Sequence, residues 1–466
     1  MNHLVSQIAS LVWWPILFLI LGGGIFFLVY SRFTQYFYFG HAFRLLLGHY
    51  KQTHAPGQIS PYKALSTALA STVGMGNLSG VAAAIALGGP GAIFWMWVTA
   101  VVGMSTNFFT STLAILYRGK DSTGEIQGGP MYVIREGLGK SWQPLAVFFC
   151  VCTLAGMLPL FQANQLAQAI VDIGFQSLPG RERSFSVAGL EINMIKLFTG
   201  LVAAVLAGVV IVGGIQRIGN WAGKLVPVMI AFHFVSVAVI LIVFYEQVPH
   251  SFALIFSDAF APQHFHGDPF MGGVLGGIIM LGVRRATFSN EAGIGTAPMA
   301  MGAAMSAEPV QEGLLSMLSP VIDTIVSCSL TALAILVTGV WDTPGVNGIS
   351  LTAMAYEAAM PYGSYVLLIC AVVFAVSALF SYSYYGRKAL AFLVGQERSR
   401  WYDYFYVAMI VVGSVATLDI VLNIFDIAFA LMAIPTMVSA FILAPRVMRE
   451  TRSYIDRVIK PSKPDL

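Results

Sequence analysis

The sequence predicts an all-helical integral membrane protein in which ten of about eleven spans form two sets of five with opposite orientation. Three observations predict it: the hydropathy, the side on which the positive charges collect, and two interruptions that recur five spans apart. Of the 466 residues, 57% are hydrophobic and 10% charged, with a mean hydropathy of +0.77. An average soluble domain carries about 25% charged residues.

A crossing needs about 20 apolar residues. The runs that satisfy this are, in order, 11–30, 64–87, 92–117, 145–170, 196–215, 225–245, a discontinuous one over 250–288, then 314–340, 365–385, 404–418 and 424–443. Nothing positive precedes the first run and no small-residue cleavage site follows it, so it reads as a retained span. The segment 32–62 is expected to lie partly as an amphipathic helix on the inner surface, 175–191 is the longest outer loop, and 446–466 is a basic tail. The expected organisation is therefore 1–31 as an extra N-terminal helix, 32–62 as a connection, 63–245 and 246–445 as two five-helix repeats, and 446–466 as the tail.

Lys and Arg set the orientation, because loops on the cytoplasmic side carry the excess. With the N-terminus outside, the inner loops and tail hold 19 of them, whereas the outer loops hold Arg181 and Arg183 alone. The net charge of +3 thus reflects topology and gives no reason to expect nucleic acid as a partner; membrane lipids are the expected surroundings. Cys150, Cys152, Cys328 and Cys370 all fall inside spans and read as small buried apolar residues. No zinc-protease, serine-hydrolase or phosphate-loop motif is present, which argues against an enzyme.

The first interruption is Ser71-Thr72-Val73-Gly74-Met75-Gly76-Asn77, in mid-span. Unwound backbone at that depth is tolerated only where protein, ions or ligand satisfy it. The second is placed around Pro262, Gly267 and Pro269, leading into Phe270-Met271-Gly272-Gly273. Broken helices opening two inverted sets of five are the LeuT-like arrangement of secondary transporters; close packing of glycines in a large bundle is the plainer reading. A break near Gly272 would carry Arg284 and Arg285 to the cytoplasmic edge as anchors.

The residues resemble the alanine or glycine:cation symporters, also called the sodium:alanine symporter family. The matching blocks run from Ala64 to Val81, then Gly88-Gly89-Pro90-Gly91-Ala92-Ile93-Phe94-Trp95-Met96-Trp97, Gly128-Gly129-Pro130-Met131-Tyr132, Gln162-Ala163-Asn164, Ser289-Asn290-Glu291-Ala292-Gly293, Asp323-Thr324 and Leu431-Met432-Ala433-Ile434-Pro435. The resemblance implies a LeuT-like fold that carries a small neutral amino acid, such as alanine or glycine, into the cell with sodium across a prokaryotic inner membrane. It implies Thr72, Met75, Gly76 and Asn77 as a carboxylate cradle, with Gln162, Phe270 and Gly272 lining the same cavity. Sodium would take carbonyls near Ala70 and Val73 and a hydroxyl from Ser377. No organic cofactor is implied.

Several residues depart from the family pattern. Met75 stands where Thr is usual, and Asn107 and Thr110 replace a usual Lys and Glu. Ser377-Ala378 replaces a Ser-Thr pair, which removes one hydroxyl. His264, His266 and Asp268 lie in the expected second break, where they read as a protonatable coupling site, a weak metal site or polar residues at a cavity mouth. Asp323, an acid inside a span, is a functional candidate beside a helix-pairing role. Glu291 reads as a gating contact or structural turn near the cytoplasmic edge. Proton coupling, and a sensor that has lost transport, stand as alternatives to sodium symport.

Overall fold

The computed structural model describes residues 12–48, 55–176, 184–187, 190–267 and 273–459. In chain order its principal helices are α1 (Val12–Tyr30), α2 (Pro61–Thr72), α3 (Gly76–Gly88), α4 (Ala92–Leu116), α5 (Lys140–Gly174), α6 (Met194–Ile211), α7 (Gly214–Val243), α8 (Val248–Phe260), α9 (Val274–Asn290), α10 (Thr296–Met301), α11 (Pro309–Val337), α12 (Ile349–Ala359), α13 (Gly363–Val394), α14 (Trp401–Val415) and α15 (Val421–Ile459). Among the described residues, eight of these are long and apolar enough to cross a membrane singly, and α2 with α3, bent by 47°, make a ninth span. α14 falls short because its 15 residues reach only about 22 Å at 1.5 Å each, against a hydrocarbon core of about 30 Å.

Local chemistry sets the ends of these elements. Pro61 occupies the first turn of α2, where its missing N–H costs nothing, and the Ser60 side chain accepts the Lys63 N–H. Asn193 caps α6 by accepting the Ile195 N–H at 2.9 Å. α3 stops at Gly89, whose φ of +71° suits glycine, and Pro90 follows. Before α2, the inner connection forms the short helices Thr34–Phe37 and Phe39–Leu46; the latter buries His41, Ala42 and Leu45.

The second break differs from expectation. α8 is a separate helix, and the loop after it brings the His266 N–H to the Leu87 carbonyl at 2.7 Å, at the far end of α3. Phe270 and Gly272 lie outside the described residues, as does Asp268. The helical path instead breaks over residues 291–295, between α9 and α10, where Glu291, Gly293 and Gly295 all have positive φ. Both breaks thus carry a Gly-x-Gly: Gly74-Met75-Gly76 and Gly293-Ile294-Gly295.

Packing follows a two-fold exchange of the two sets. α2 packs on α10 and α3 on α9, so the two broken helices run antiparallel with their breaks side by side. The contact of α5 with α15 is mirrored by α13 with α7, and α4 on α10 by α11 on α3. α4 on α11 and α6 on α14 map onto themselves. α1 stands outside this exchange, against α4 and α15.

At the end of the bundle that bears the basic loops, the chain before α2 is stitched to the chain after α10. Gln58 N–H donates to the Ala303 carbonyl at 2.8 Å and Met305 N–H to the Ile59 carbonyl at 2.6 Å. Arg118, just past α4, donates to the carbonyls of Pro56 at 2.9 Å, Ser306 at 3.0 Å and Gly302 at 3.1 Å, and also to that of Ala304.

Arg284 and Arg285 are not edge anchors. They lie in α9 ahead of the break, where Arg285 is buried and Arg284 forms an ion pair with Asp426 of α15, beneath the Trp13 ring of α1. Removing one partner of such a pair strands a charge, at a cost of about 3–5 kcal/mol, whereas apolar replacement of both is close to neutral. Arg284→Met alone is therefore expected to lower the melting temperature in detergent sharply, and the added Asp426→Leu to restore most of it. Equal or additive losses would remove the pair's structural role.

Candidate functional site between the two broken helices

At the first break the chain turns its own donors away from the helix. Gly74 N–H donates to the Asn77 side-chain oxygen at 2.9 Å, and Asn77 N–H to the Gly74 carbonyl at 3.1 Å. In a continuous α-helix these N–H groups would serve the carbonyls four residues back, those of Ala70 and Val73. Both carbonyls are thereby released at the negative end of α2.

The next donor, Met75 N–H, goes to the Gln162 side-chain oxygen of α5 at 3.1 Å. A side-chain oxygen here marks where a carboxylate oxygen can sit, at the start of α3, whose first N–H groups suit an anion. Gly74 is closely packed: a Cβ would lie 3.2 Å from the Gln162 amide and 3.3 Å from the Ala378 methyl. On the other side Gly76 faces the Phe288 ring, which packs edge-on against Phe161 at 4.8 Å and near Phe425 and Phe429. Sequence reasoning missed Phe288 because the expected break lay 18 positions upstream, at Phe270.

Asp323 of α11 holds the two breaks together. It accepts from Asn77 Nδ2 at 2.7 Å, Ser289 Oγ at 2.6 Å and Thr324 Oγ1 at 3.0 Å. Cys328 Sγ joins the cluster, 3.1 Å from Ser289 Oγ and 3.4 Å from Asn77 Nδ2. Asn77 therefore has both ends of its amide engaged within the protein and acts as a brace between α3 and α11.

Glu291 sits at the end of α9 with φ +54°, a left-handed conformation that costs a non-glycine residue about 1–2 kcal/mol. It is fully buried; Oε1 accepts from Tyr382 at 2.8 Å and Oε2 from Ser71 at 3.5 Å. The structure thus brings Glu291 to the breaks at mid-bundle, away from the edge where the sequence reading set it.

The remaining candidates are distributed as follows. Thr72 is buried, with its hydroxyl directed to the Leu69 carbonyl at 3.4 Å. Ser377 donates to its own helix, the Phe374 carbonyl at 2.9 Å, and faces Met229 of α7. It is Ala378 whose side chain meets the break. His264 accepts or donates at Asp258, 3.0 Å away, and lies edge-on to Trp341 at 5.0 Å. Its place beside Gly89 puts it and His266 at the far end of α3, about 18 Å of helix from the first break. Among the described residues, no group of three His, Cys, Asp or Glu is arranged to hold a metal ion.

Cavities flank the breaks at both ends of the bundle. One, of about 680 Å³, opens at the basic end and is lined by Gln58, Gln127, Ser383, Tyr384 and Lys388 among others. The other, of about 660 Å³, is lined by Gln165, Gln168, Asn193, Gly348 and Thr417 among others. Neither is lined by the residues of either break. On one side Lys388 Nζ bonds the Met299 carbonyl and the Tyr384 hydroxyl, each at 2.9 Å, and on the other Ser79 bonds Gln165 while Thr352 bonds the Leu78 carbonyl at 3.0 Å.

The sequence profile of the sodium:alanine symporter family matches residues 1–465. The chain belongs to the sodium:alanine symporter family. It is 38% identical over 460 residues, 97% of this chain and 96% of the relative, to the sodium/alanine symporter AgcS of Methanococcus maripaludis. It is 34% identical over 458 residues, 97% of this chain and 91% of the relative, to a probable sodium/glutamine symporter, GlnT, of Bacillus subtilis. Among solved structures, MhsT in complex with L-phenylalanine superposes with a TM-score of 0.62 at 11% identity, over 85% of this chain and 93% of that one. That likeness concerns the fold, and the LeuT-like arrangement expected from the sequence is the one found. The chain is a multi-pass membrane transporter for cation-coupled amino-acid symport, not an enzyme.

Two substitutions test the geometry. At Gly295, with φ +111°, a Cβ would lie 2.6 Å from Thr436 Oγ1 and 2.8 Å from Pro130, so Gly295→Ala is expected to abolish a monodisperse folded peak in size-exclusion chromatography. Asn77→Ala strands the Gly74 N–H and one Asp323 oxygen, at about 1–3 kcal/mol for each. It should fold with a lowered melting temperature and lose uptake; wild-type stability and uptake would contradict the brace.

Proposed function

We propose that this symporter carries a small neutral amino acid, alanine or glycine, inward with Na+, and that the amino acid binds where the two breaks meet. The observation that carries this reading is the Gln162 oxygen on Met75 N–H. It occupies an anion position with a neutral side chain that a substrate carboxylate can displace. In this reading Thr72, Met75, Gly76 and Gln162 surround the substrate, Asn77 braces the cradle, and Phe288 with its aromatic neighbours limits the side chain to a small one. Phe270 and Gly272, outside the described residues, stay as proposed lining of the same cavity.

Na+ would take the released carbonyls of Ala70 and Val73, oxygen donors that suit a hard cation. Ser377 would join them by turning from the Phe374 carbonyl. Names of the relatives support the class: AgcS is a sodium/alanine symporter and GlnT a probable sodium/glutamine symporter. The excess of Lys and Arg at one end supports a cytoplasmic C-terminus and an outer N-terminus in a cell inner membrane. The exchange of contacts between α2–α7 and α9–α15 supports repeats close to 63–245 and 246–445, with α8 as a lead-in to the second. Asp323 has a structural role in this reading. The coupling role considered for His264 and His266 has no support from their distance to the breaks.

The test is uptake of labelled alanine and glycine into proteoliposomes under an inward Na+ gradient and, separately, an inward proton gradient. Na+ is expected to drive accumulation, Gln162→Ala, which removes the competitor for Met75 N–H, to lower the substrate KM severalfold, and Phe288→Ala to admit larger neutral amino acids. Accumulation driven by protons alone would replace Na+ as the coupling ion; no uptake with either gradient would overturn the substrate assignment.

A further inference from the structure

Two half-helices, α2 and α9, end beside each other at mid-bundle, and each presents the negative end of its dipole there. Glu291, at the end of α9, adds a full carboxylate to this electronegative spot, with Ser71 at the end of α2 bonded to it. The groups that face Glu291 are Ser71 from α2, Thr296 from α10, Tyr382 and Tyr385 from α13, and Asp323 from α11, which is near enough to repel it. Hydroxyls and a second carboxylate make up this set. Among the described residues, no Lys, Arg or His forms an ion pair with Glu291. A fully buried anion against two negative helix ends, in a low-dielectric slab, needs a cation.

We infer that Glu291 supplies the fixed negative charge of a monovalent-cation site between the ends of α2 and α9. The inference rests on the cation-coupled reading above and deepens it. The released Ala70 and Val73 carbonyls belong to the same helix end as Ser71, so a cation there meets neutral oxygens on one side and the carboxylate on the other.

The site is also wired to the substrate position. Tyr382, which donates to Glu291, lies beside the Gln162 side chain, and Gln162 in turn holds Met75 N–H. A substrate carboxylate that takes Met75 N–H frees Gln162 to rearrange around Tyr382, and so changes how firmly Tyr382 solvates Glu291. By linkage, a cation at Glu291 must alter substrate affinity by the same factor.

Purified full-length protein in detergent tests this without transport. Thermal unfolding is followed during NaCl titration at constant ionic strength, with choline as the replacement, and across a pH series without Na+. Wild type is expected to be stabilised by one of the two cations, which also tells Na+ from the proton. Glu291→Gln should weaken that response by roughly tenfold or more, within the usual range for coupled sites. Tyr382→Phe keeps the carboxylate but removes a donor that competes with the cation, so it should shift the midpoint to lower cation concentration. If both variants merely melt earlier at an unchanged cation midpoint, Glu291 is structural and the inference fails, while the symport reading stands. A wild-type protein that responds to neither cation overturns the inference and cation coupling together. Should Glu291→Gln fail to fold, the sign of the Tyr382→Phe shift decides alone.

Discussion

The structure depends on one constraint: backbone that leaves the helix inside a hydrocarbon slab has no water to bond. Two helices break side by side, which doubles the number of groups to satisfy. Asp323 meets much of this demand from a third helix, because a carboxylate can accept from several donors at once. Through Asn77 it fixes the turn at Gly74, and through Ser289 it fixes the end of α9. The positions of the released carbonyls, the Met75 N–H and Glu291 all follow from where that carboxylate holds the two chains.

The partners of the two breaks differ in strength. Asn77 and Ser289 are held by a charge, through bonds of the stronger, charge-assisted kind. Met75 N–H is held by a neutral amide, and the Ala70 and Val73 carbonyls have lost their helical donors. A ligand that brings an anion and a cation can therefore replace the weak partners without disturbing the strong ones. Burial at both ends of the bundle adds to this, since polar interactions are worth more once water is excluded.

Much of the fold was legible in the sequence because hydropathy and the placement of Lys and Arg are imposed by the membrane itself. The first break was legible for the same reason: Gly74-Met75-Gly76-Asn77 interrupts an otherwise apolar run. The second was misplaced because Pro262, Gly267 and Pro269 form a more conspicuous interruption than Gly293-Ile294-Gly295. That second Gly-x-Gly, matching the first, was the available signal. Arg284 and Arg285 compounded the error. The positive-inside rule draws such a pair to the edge, and the partner that keeps Arg284 inside, Asp426, lies 142 positions along the chain. Long-range pairing of that kind has no local signature, and neither does the approach of Glu291 to Ser71 across 220 positions.

The same geometry limits how the basic end can open. α2 and α10 are joined below the breaks by backbone hydrogen bonds between residues 56–59 and 303–306. Peeling them apart would expose edge groups on both chains, so the economical motion moves the two half-helices as one body. What roots that body to its neighbours is Arg118 at the end of α4, with its fan of carbonyl acceptors on both strands, and Lys388 of α13 on the last turn of α10. Both contacts are side chain to backbone and both donors border cavities that already reach the basic end, so water can take over the carbonyls as they let go. An opening built this way leaves the Asp323 clasp on α3 and α9 intact, and it carries the released Ala70 and Val73 carbonyls of α2 away from that clasp.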